Sequence, residues 1–262
     1  MLMGYYLADY KRYGLKIPLN IILEKSISNI LIAGKSGSGK SQSLRWYIWN
    51  MLHTGESMVY IADYKGGEEY EAFEGCSSYA SGEFAIQMIE DYYELFTLVR
   101  NNHIRLQTHY TLVIEEWFGL LVYAETQSKK LKADLMAKVG ELLAVSRGLN
   151  MGIIVCVQRA DASLFSTGSR EQFQCVCSFA RTSAEQFRML GYSGELEENP
   201  TQNYKAGQGI VLIDGQEGVQ EIIVPYIKNS AAMSMAIRKE LEKQSDISSI
   251  VRTIAEGKST ER

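Results

Sequence analysis

The feature that most constrains the fold is a glycine-rich loop that follows a short apolar segment. The stretch "NILIAGKSGSGKSQSL", residues 29–44, matches G-x-x-x-x-G-K-[ST] through Gly34, Gly39, Lys40 and Ser41. The apolar segment favours a strand and the segment after the loop favours a helix. Glycines let backbone N–H groups surround a phosphate, and the helix N-terminus adds its dipole. The sequence therefore predicts an α/β fold with a P-loop that holds a nucleoside triphosphate.

Two residues of this loop are predicted to act directly on the phosphates. Lys40 reaches the β and γ phosphates, and the Ser41 hydroxyl ligates Mg²⁺. The other residues expected to contact the nucleotide are Gly34, Lys35, Ser36, Gly37, Ser38, Gly39 and Gln42. A chance cluster of Gly and Ser is the alternative, and the strand-loop-helix context argues against it.

Apolar, β-branched runs alternate with helical patterns along the chain. The runs are residues 29–34, 58–63, 111–116, 152–158 and 209–214, and the predicted helices are Lys40–His53, Glu83–Asn101 and Leu131–Arg147. This alternation predicts a mostly parallel central sheet flanked by helices. The stretch "GIVLIDGQEGVQEIIVPYI" predicts a hairpin that turns at Asp214-Gly215 and closes the edge of the sheet. We expect one domain over residues 1–228 and a partly flexible helical tail over residues 229–262, either solvated or in a subunit contact.

Composition narrows the classes of protein that this chain can be. It has 262 residues with a net charge of −4, which disfavours a surface coated in positive charge for passive nucleic-acid binding. No stretch approaches the roughly 18 apolar residues of a membrane span. Four cysteines without a C-x-x-C pair indicate a reducing, cytoplasmic compartment. The three scattered histidines argue against a metal site or histidine catalysis.

Two carboxylates end the third apolar run. In "YTLVIEEWFGLL", Glu115 is predicted to support the magnesium and Glu116 to act as general base, because ligands gather at the carboxyl ends of parallel strands. Two solvated carboxylates that begin a loop are the alternative. Gln158 ends the fourth run, where its side chain can sense a γ-phosphate or the attacking water. No N-K-x-D segment is present, so adenine is favoured over guanine and a RecA-like ATPase over a GTPase or a kinase.

Five segments in order resemble the FtsK/SpoIIIE family of motor ATPases, which includes the coupling proteins of conjugative elements. The resemblance runs from about Asn29 to Ile227. The segments are "LIAGKSGSGKS", "YIADYKGGEEYEAF", "LVIEEW", "SRGLNMGIIVCVQRAD" and "GQGIVLI…VQEIIVPYI". The second is similar to the D-P-K strand end of the family, and the fourth to its R-x-x-G-I-H…T-Q-R-P segment.

The resemblance implies a ring, usually a hexamer, in which ATP lies between subunits and double-stranded DNA moves through the channel. It implies Lys40 and Ser41 on the triphosphate and Mg²⁺, and Glu115 and Glu116 as the acidic pair. It also implies Gln158 as the sensor and Arg147 as the finger offered to the neighbouring nucleotide. For Arg147, an arginine that offsets a helix dipole is the alternative.

The sequence departs from the family pattern at three of these places. Glu115 stands where the family usually has Asp, which puts the hydrolytic rate in question but not binding. Tyr64 and Ala160 replace prolines that do no chemistry. We expect a bare motor or a fragment of a longer protein, since no membrane anchor precedes the motor and a winged-helix DNA reader has no room behind it.

The leading functional hypothesis is ATP-driven translocation of double-stranded DNA during conjugative or mobile-element transfer. The protein is then cytoplasmic, with recruitment to the inner face of the membrane by a transfer apparatus left open. The basic candidates for DNA contact are Lys129, Lys130, Arg159 and Arg170. Two alternatives stay open: a type VII-like protein secretion ATPase, and a nucleotide-gated interaction module with little turnover.

Overall fold

A mixed sheet forms the centre of the fold in a computed structural model, which describes residues 1–23 and 27–257. Its ten strands within these residues are β1 (Leu2–Tyr6), β2 (Pro18–Asn20), β3 (Ile30–Ala33), β4 (Ser57–Asp63), β5 (Tyr79–Ser81), β6 (His109–Glu115), β7 (Met151–Val157), β8 (Cys175–Phe179), β9 (Gln208–Ile213) and β10 (Val219–Ile223). The helices are α1 (Leu7–Tyr13), α2 (Lys40–His53), α3 (Ala85–Asn101), α4 (Trp117–Gln127), α5 (Lys129–Val145), α6 (Ala184–Met189), α7 (Ser230–Leu241) and α8 (Ile247–Ala255).

The strand order is β2-β1-β10-β9-β8-β3-β7-β6-β4-β5. Strands β8, β3, β7, β6, β4 and β5 run parallel, whereas β9, β10, β1 and β2 join by antiparallel pairs. The predicted central sheet flanked by helices is confirmed. Strand β7 lies between β3, which precedes the P-loop, and β6, which ends at Glu115.

Helices cover both faces of the sheet. Helix α2 contributes Leu44, Ile48 and Met51 to the apolar layer on one face. On the other face, α3 presents Ile89 and Phe96 at helical spacing, and both side chains are fully buried there with residues of α4 and α5. Because both faces are covered, β3 and β7 are buried along their whole length, which is why apolar runs in the sequence identify these two strands.

The boundaries of two predicted helices shift in the structure. The first begins at Ala85, after a short 3₁₀ helix over Gly82–Phe84. The other runs from Lys129 to Val145, because the Ser128 hydroxyl accepts a hydrogen bond from the Leu131 N–H and so caps its N-terminus. The helix Lys40–His53 has the predicted bounds.

The predicted hairpin forms, but its position at the edge of the sheet is wrong. Strands β9 and β10 pair in antiparallel register, with Gln220 opposite Val211. The free side of β10 is then covered by β1, with Tyr5 opposite Ile223, and β2 extends the sheet further. The hairpin is therefore an interior part of the sheet, because the first residues of the chain supply two more strands.

The C-terminal helices pack against the body of the domain. Ile237 of α7 and Ile247 of α8 are buried in the two apolar layers. The Gln244 side chain between them donates to the carbonyl oxygen of Val59 at 2.9 Å and accepts from its N–H at 2.6 Å. The pairing of β4 with the short strand β5 begins at Ile61, so β5 does not reach Val59. The Gln244 amide therefore forms the hydrogen bonds that the backbone of Val59 would otherwise lack on this side of β4. The end of the predicted tail, residues 258–262, lies outside the described residues.

Among the described residues, no helix is both long enough and apolar enough to cross a membrane.

Candidate functional site

The P-loop connects the end of β3 to the start of α2, at the carboxyl edge of the parallel strands. Gly39 has a φ of +88°, and a Cβ atom there would lie 2.6 Å from the backbone nitrogen of Gly207. That nitrogen donates a hydrogen bond of 2.9 Å to the carbonyl oxygen of Ser38. The Gln42 amide donates to the carbonyl oxygen of Pro225 at 3.3 Å. The segment around β9 and β10 therefore braces the loop, and only glycine fits at the point of contact.

Lys40 and Ser41 both contact the carboxylate of Glu115. The Lys40 Nζ lies 3.2 Å from Glu115 Oε1, and the Ser41 hydroxyl donates to the same oxygen at 3.0 Å. Burial alone would lower the pKa of Lys40, but the Glu115 carboxylate and the nearby Cys156 thiol raise it above its ordinary value. Lys40 is therefore held as a cation at the position where a phosphate would bind.

The second carboxylate oxygen of Glu115, Oε2, is a candidate ligand for Mg²⁺. Glu115 Oε2 is buried, and no nitrogen or oxygen donor of the described residues forms a hydrogen bond with it. The thiol of Cys156 is nearby, and burial together with Glu115 raises the pKa of that thiol well above its usual range. A buried carboxylate oxygen with spare acceptor capacity beside a serine hydroxyl is the donor set that a hard cation prefers. The residues present therefore fit Mg²⁺, with Ser41 and Glu115 as the groups that would hold it or its water shell.

Glu116 and Gln158 lie together at the ends of neighbouring strands. The Gln158 amide donates to Glu116 Oε1 at 3.1 Å. Glu116 is the residue before α4 and has a φ of +58° and a ψ of 50°, a left-handed conformation that a glutamate adopts at a cost. Strained residues of this kind concentrate at functional sites, where the surrounding structure holds them in place. Glu115 is buried against Lys40 and Ser41, whereas Glu116 is partly exposed and bonded to Gln158, so the two adjacent carboxylates have different surroundings.

Two further acids lie at this edge, and the sequence analysis assigned no role to either. Asp63 ends β4 directly opposite Glu115 and accepts a hydrogen bond from the Tyr79 hydroxyl at 3.0 Å. Burial raises the pKa of Asp63, the Tyr79 hydrogen bond lowers it, and Glu115 raises it further. The signal was available, because Asp63 ends an apolar strand in "YIAD" in the same way as Glu115 does in "LVIE".

Glu69 is the second of these acids, and it belongs to the 3₁₀ helix Glu68–Phe73. Burial opposes its charge, yet its own backbone N–H, the nearby Lys65 and the Ser41 hydroxyl lower its pKa. Glu69 has no strand pattern before it, and no short-range signal in the sequence places it beside Ser41.

Arg147 is not near the other predicted residues of its own chain. It is exposed in the 3₁₀ helix Ser146–Leu149, just before the start of β7. Gln158 and the P-loop follow the ends of parallel strands, so Arg147 lies at the opposite edge of the sheet. Its charge partly offsets the rise that burial causes in the pKa of Asp214. Arg147 cannot reach the nucleotide of its own subunit in this arrangement.

The other loop residues have the exposure of a binding surface. Lys35, Ser36 and Gly37 are exposed at the tip of the loop, while the Ser38 side chain is buried beneath it. The site as a whole combines a loop for phosphates, a buried cation, a candidate magnesium ligand, and a carboxylate that is hydrogen-bonded to an amide. This combination can bind a triphosphate and activate a water molecule beside its last phosphate.

No family model and no curated protein sequence matches the chain. Solved structures do match, with TM-scores between 0.62 and 0.66 for three of them. The cytoplasmic domain of the type VII secretion ATPase EccC from Thermomonospora curvata has a TM-score of 0.66 and 17% identity, over 94% of this chain and 32% of that one. The pCW3 conjugation coupling protein TcpA, a monomer form with ATPγS, has 0.63 and 18%, over 91% of this chain and 69% of that one. EssC (ATPases 2 and 3) from Geobacillus thermodenitrificans has a TM-score of 0.62 and 12% identity, over 97% of this chain and 49% of that one.

These matches establish the fold. The predicted resemblance to FtsK/SpoIIIE-type motor ATPases is confirmed at the level of the fold, because the similar structures include a type VII secretion ATPase, the ATPases of EssC and a conjugation coupling protein with ATPγS. The chain spans about a third of the EccC domain and about half of the EssC chain.

Proposed function

We propose that this protein is an ATP-hydrolysing motor that moves a polymer, and that the polymer is double-stranded DNA. The observation that carries the enzymatic part is the hydrogen bond between Gln158 and the strained Glu116, across the carboxyl edge from Lys40. A chain that only binds nucleotide has no need for a carboxylate held in a costly conformation. The fold shared with secretion and conjugation ATPases supports a motor of this kind.

The reaction follows from the positions of four side chains. When ATP binds, the Lys40 ammonium group leaves the Glu115 carboxylate and contacts the β and γ phosphates, because the phosphates carry more negative charge. Glu115 is then free to support the Mg²⁺ that, when bound, neutralises charge between the β and γ phosphates. Gln158 holds the attacking water, and Glu116 takes the proton from it.

Arg147 completes the site of a neighbouring subunit in this proposal. It lies at the amino edge of the sheet, exposed and away from its own P-loop. An arginine supplied in trans stabilises the transferring phosphoryl group. The proposed assembly is therefore a ring, a hexamer by resemblance, in which an isolated subunit hydrolyses ATP slowly.

The proposed track is double-stranded DNA, as in conjugative or mobile-element transfer. The similarity to the TcpA conjugation coupling protein over 91% of this chain supports it. Lys129 and Lys130 are exposed at the start of α5 and are the best basic candidates for backbone contact. Arg159 and Arg170 are less suited, because Arg159 is paired with Asp161 and Glu185, and Arg170 donates to the carbonyl oxygen of Ala160.

A protein substrate is the second candidate, and the similarity to the type VII secretion ATPase EccC favours it. The ATPase core has the same fold in both cases, so the track must be determined by experiment. ATP turnover is to be measured with double-stranded DNA, with an unstructured polypeptide and with neither, at concentrations where rings can form. DNA stimulation of severalfold supports the DNA motor. If the polypeptide stimulates ATP turnover and DNA does not, the DNA motor is refuted and the protein secretion ATPase takes its place.

The enzymatic part is tested by the variant Glu116→Gln. We expect retained ATP binding and a loss of turnover of about 100-fold or more, typical of a lost general base. Tyr64→Phe, at the neighbouring strand end, is the control and retains turnover. Turnover in Glu116→Gln equal to that of the unaltered protein would refute the assignment of Glu116 as base.

A further inference from the structure

A cleft beside the P-loop contains an arginine to which neither the sequence analysis nor the proposed function assigns a role. The cleft lies over the end of β3, between the residues that follow β7 and those that follow β8. Its walls include Lys35, Gln158, Arg159, Arg181, Thr182 and Gln186. Gln158 therefore faces Glu116 on one side and this cleft on the other. A ligand group that touches Gln158 has Arg181 on the far wall.

The backbone that carries Arg181 is strained. Ala180 follows the last residue of β8 and has a φ of +56°, in the left-handed region that an alanine rarely adopts. Glu116 has the same conformation directly after β6. The parallel strands β6 and β8 are thus each followed by a non-glycine residue in the left-handed conformation. Both residues lie at the edge of the sheet that carries the P-loop.

Hydrogen bonds on both sides of Arg181 hold this conformation. The Ala180 N–H donates to the carbonyl oxygen of Gln208 at 2.7 Å. The Thr182 N–H donates to the hydroxyl of Thr201 at 2.9 Å, and the Thr182 carbonyl oxygen accepts from the Asn199 amide at 2.8 Å. A strained residue that its surroundings fix in this way indicates a function for the side chain that it positions.

The two arginines of the cleft differ in their partners. Arg159 is bound to the carboxylates of Asp161 and Glu185, with distances of 3.4 and 2.9 Å. Arg181 is exposed, and within the described part of the chain no side chain forms an ion pair or a hydrogen bond with its guanidinium. A guanidinium with five donors and no partner, held next to a phosphate-binding loop, is suited to a phosphate group.

We propose that Arg181 binds the γ-phosphate of the ATP held by its own subunit, from the side opposite Gln158. The inference rests on the proposed function and adds a second arginine to it, supplied in cis, whereas Arg147 is supplied in trans. In the reaction, the oxygen of water bonds to the γ-phosphorus as the bond to the ADP oxygen breaks, and the water proton goes to Glu116. Arg181 stabilises the negative charge on the γ-phosphate oxygens during this step.

The first experiment compares ATPγS with ADP as ligands of Arg181→Ala, Arg181→Lys and the control Arg188→Ala. Arg188 is an exposed arginine of α6 and does not line the cleft. We expect Arg181→Ala to weaken ATPγS binding about tenfold or more, as a lost hydrogen bond to a charged group does, and to change ADP binding less than twofold. Arg181→Lys restores part of the affinity, because it keeps the charge but not the fork of donors. Arg188→Ala binds both nucleotides as the unaltered protein does.

The second experiment distinguishes cis from trans by mixing subunits. In mixed rings of Arg181→Ala and Glu116→Gln, every site lacks one of the two groups if Arg181 acts in cis, so turnover stays at the level of the separate variants. Rings of Arg147→Ala and Glu116→Gln recover turnover, because an Arg147→Ala subunit can receive the arginine of its neighbour. Recovery in the first mixture would overturn the cis assignment.

Other outcomes separate this inference from the proposed function. Equal weakening of ATPγS and ADP by Arg181→Ala would show that the contact is not with the γ-phosphate and would overturn the inference. Normal ATPγS binding by Arg181→Ala, together with its loss in Lys40→Ala, would overturn the inference and leave the proposed function standing. If the unaltered protein bound neither nucleotide, the proposed function would fail as well.

Discussion

The buried pair of Lys40 and Glu115 yields the prediction that is best defined by the structure. Lys40 is 6% exposed and Glu115 1%, and the ammonium and carboxylate are 3.2 Å apart. At an effective dielectric constant of about 20, the attraction at this distance is about 5 kcal/mol before the cost of desolvation. Removing one partner of a buried pair costs about 3–5 kcal/mol, since it leaves the other charge uncompensated. Each single variant, Lys40→Met or Glu115→Gln, should therefore unfold more easily in the absence of nucleotide.

The two single variants should differ in a defined direction. Asp63 lies opposite Glu115, and the charge of Glu115 contributes to the raised pKa of Asp63. Glu115→Gln removes this repulsion, whereas Lys40→Met keeps it and leaves the buried Glu115 carboxylate without its ammonium partner. We expect a loss of about 4 kcal/mol for Lys40→Met and about 3 kcal/mol for Glu115→Gln. The double variant loses less than their sum by at least about 2 kcal/mol, because neither buried charge is left alone.

The assay is guanidinium unfolding of the three variants and the unaltered protein without nucleotide, with thermal melts as a second measure. A loss of 1 kcal/mol corresponds to a fall in Tm of about 2–4 °C for a chain of this size. The exposed pair of Lys132 and Glu125, 2.7 Å apart, is the matched control and should couple by less than about 1 kcal/mol. The reasoning would be refuted if the losses of unfolding free energy in Lys40→Met and Glu115→Gln summed to the loss in the double variant within about 0.5 kcal/mol.

The same pair predicts a pH dependence. The pKa of Lys40 is raised in the folded protein above its ordinary value of 10.5. The folded state therefore holds this proton more tightly than the unfolded chain does, and the stabilisation is complete below pH 10.5. It is lost as the pH rises through the raised pKa. In Glu115→Gln the carboxylate no longer offsets the lowering of the Lys40 pKa by burial, so that variant gains stability as the pH rises toward 10.5. The difference in unfolding free energy between the unaltered protein and Glu115→Gln should therefore narrow as the pH rises from about 7.

Two further predictions concern the backbone. Glu116→Gly should be more stable than Glu116→Ala by about 1 kcal/mol in thermal unfolding. Both variants remove the carboxylate, but only glycine accepts a φ of +58° without cost. Equal stability of the two variants would contradict the strain at this residue. Gly152→Ala should lose about 3 kcal/mol or more, since a Cβ there would lie 2.1 Å from the carbonyl oxygen of Ser28. The control is Gly148→Ala, where no atom of the described residues lies within 4 Å of the added carbon, and it should change stability by less than about 0.5 kcal/mol.

The parts of the site that the sequence predicts are those with short-range signals. The P-loop needs a strand, a helix and a run of eight residues from Gly34 to Ser41, all adjacent in the chain. Glu115 and Gln158 each end an apolar run, so their place at one edge of the sheet follows from the rule for parallel strands. The contact of Glu115 with both Lys40 and Ser41 joins residues that are distant in sequence, and no local pattern specifies it.

The parts of the fold that were missed depend on long-range pairing. Strand β1 is a tyrosine-rich segment with a glycine in its middle, and it becomes a strand by pairing with β10 near the other end of the chain. Strand β8 reads "CVCSF", in which cysteine and serine interrupt the β-branched pattern, and it is specified by its position between β3 and β9. Tertiary context decides both cases, as it often does for strands.

The same limit explains why Arg181 does not stand out in the sequence. Nothing in "SFARTS" predicts a left-handed alanine, because alanine rarely adopts that conformation and the energy that holds it comes from Gln208, Asn199 and Thr201. Glu116 is predicted as an acid from its position after a strand, but no local pattern predicts its left-handed conformation before α4. The P-loop therefore identifies a phosphate site from local sequence, whereas the directions in which Glu116 and Arg181 point are properties of the complete sheet. Ala180→Gly keeps the hydrogen bonds that hold the turn before Arg181 and removes the cost of the left-handed alanine, so it should raise stability in thermal unfolding by about 1 kcal/mol and leave ATPγS binding unchanged; an equal or lower stability would contradict the strain.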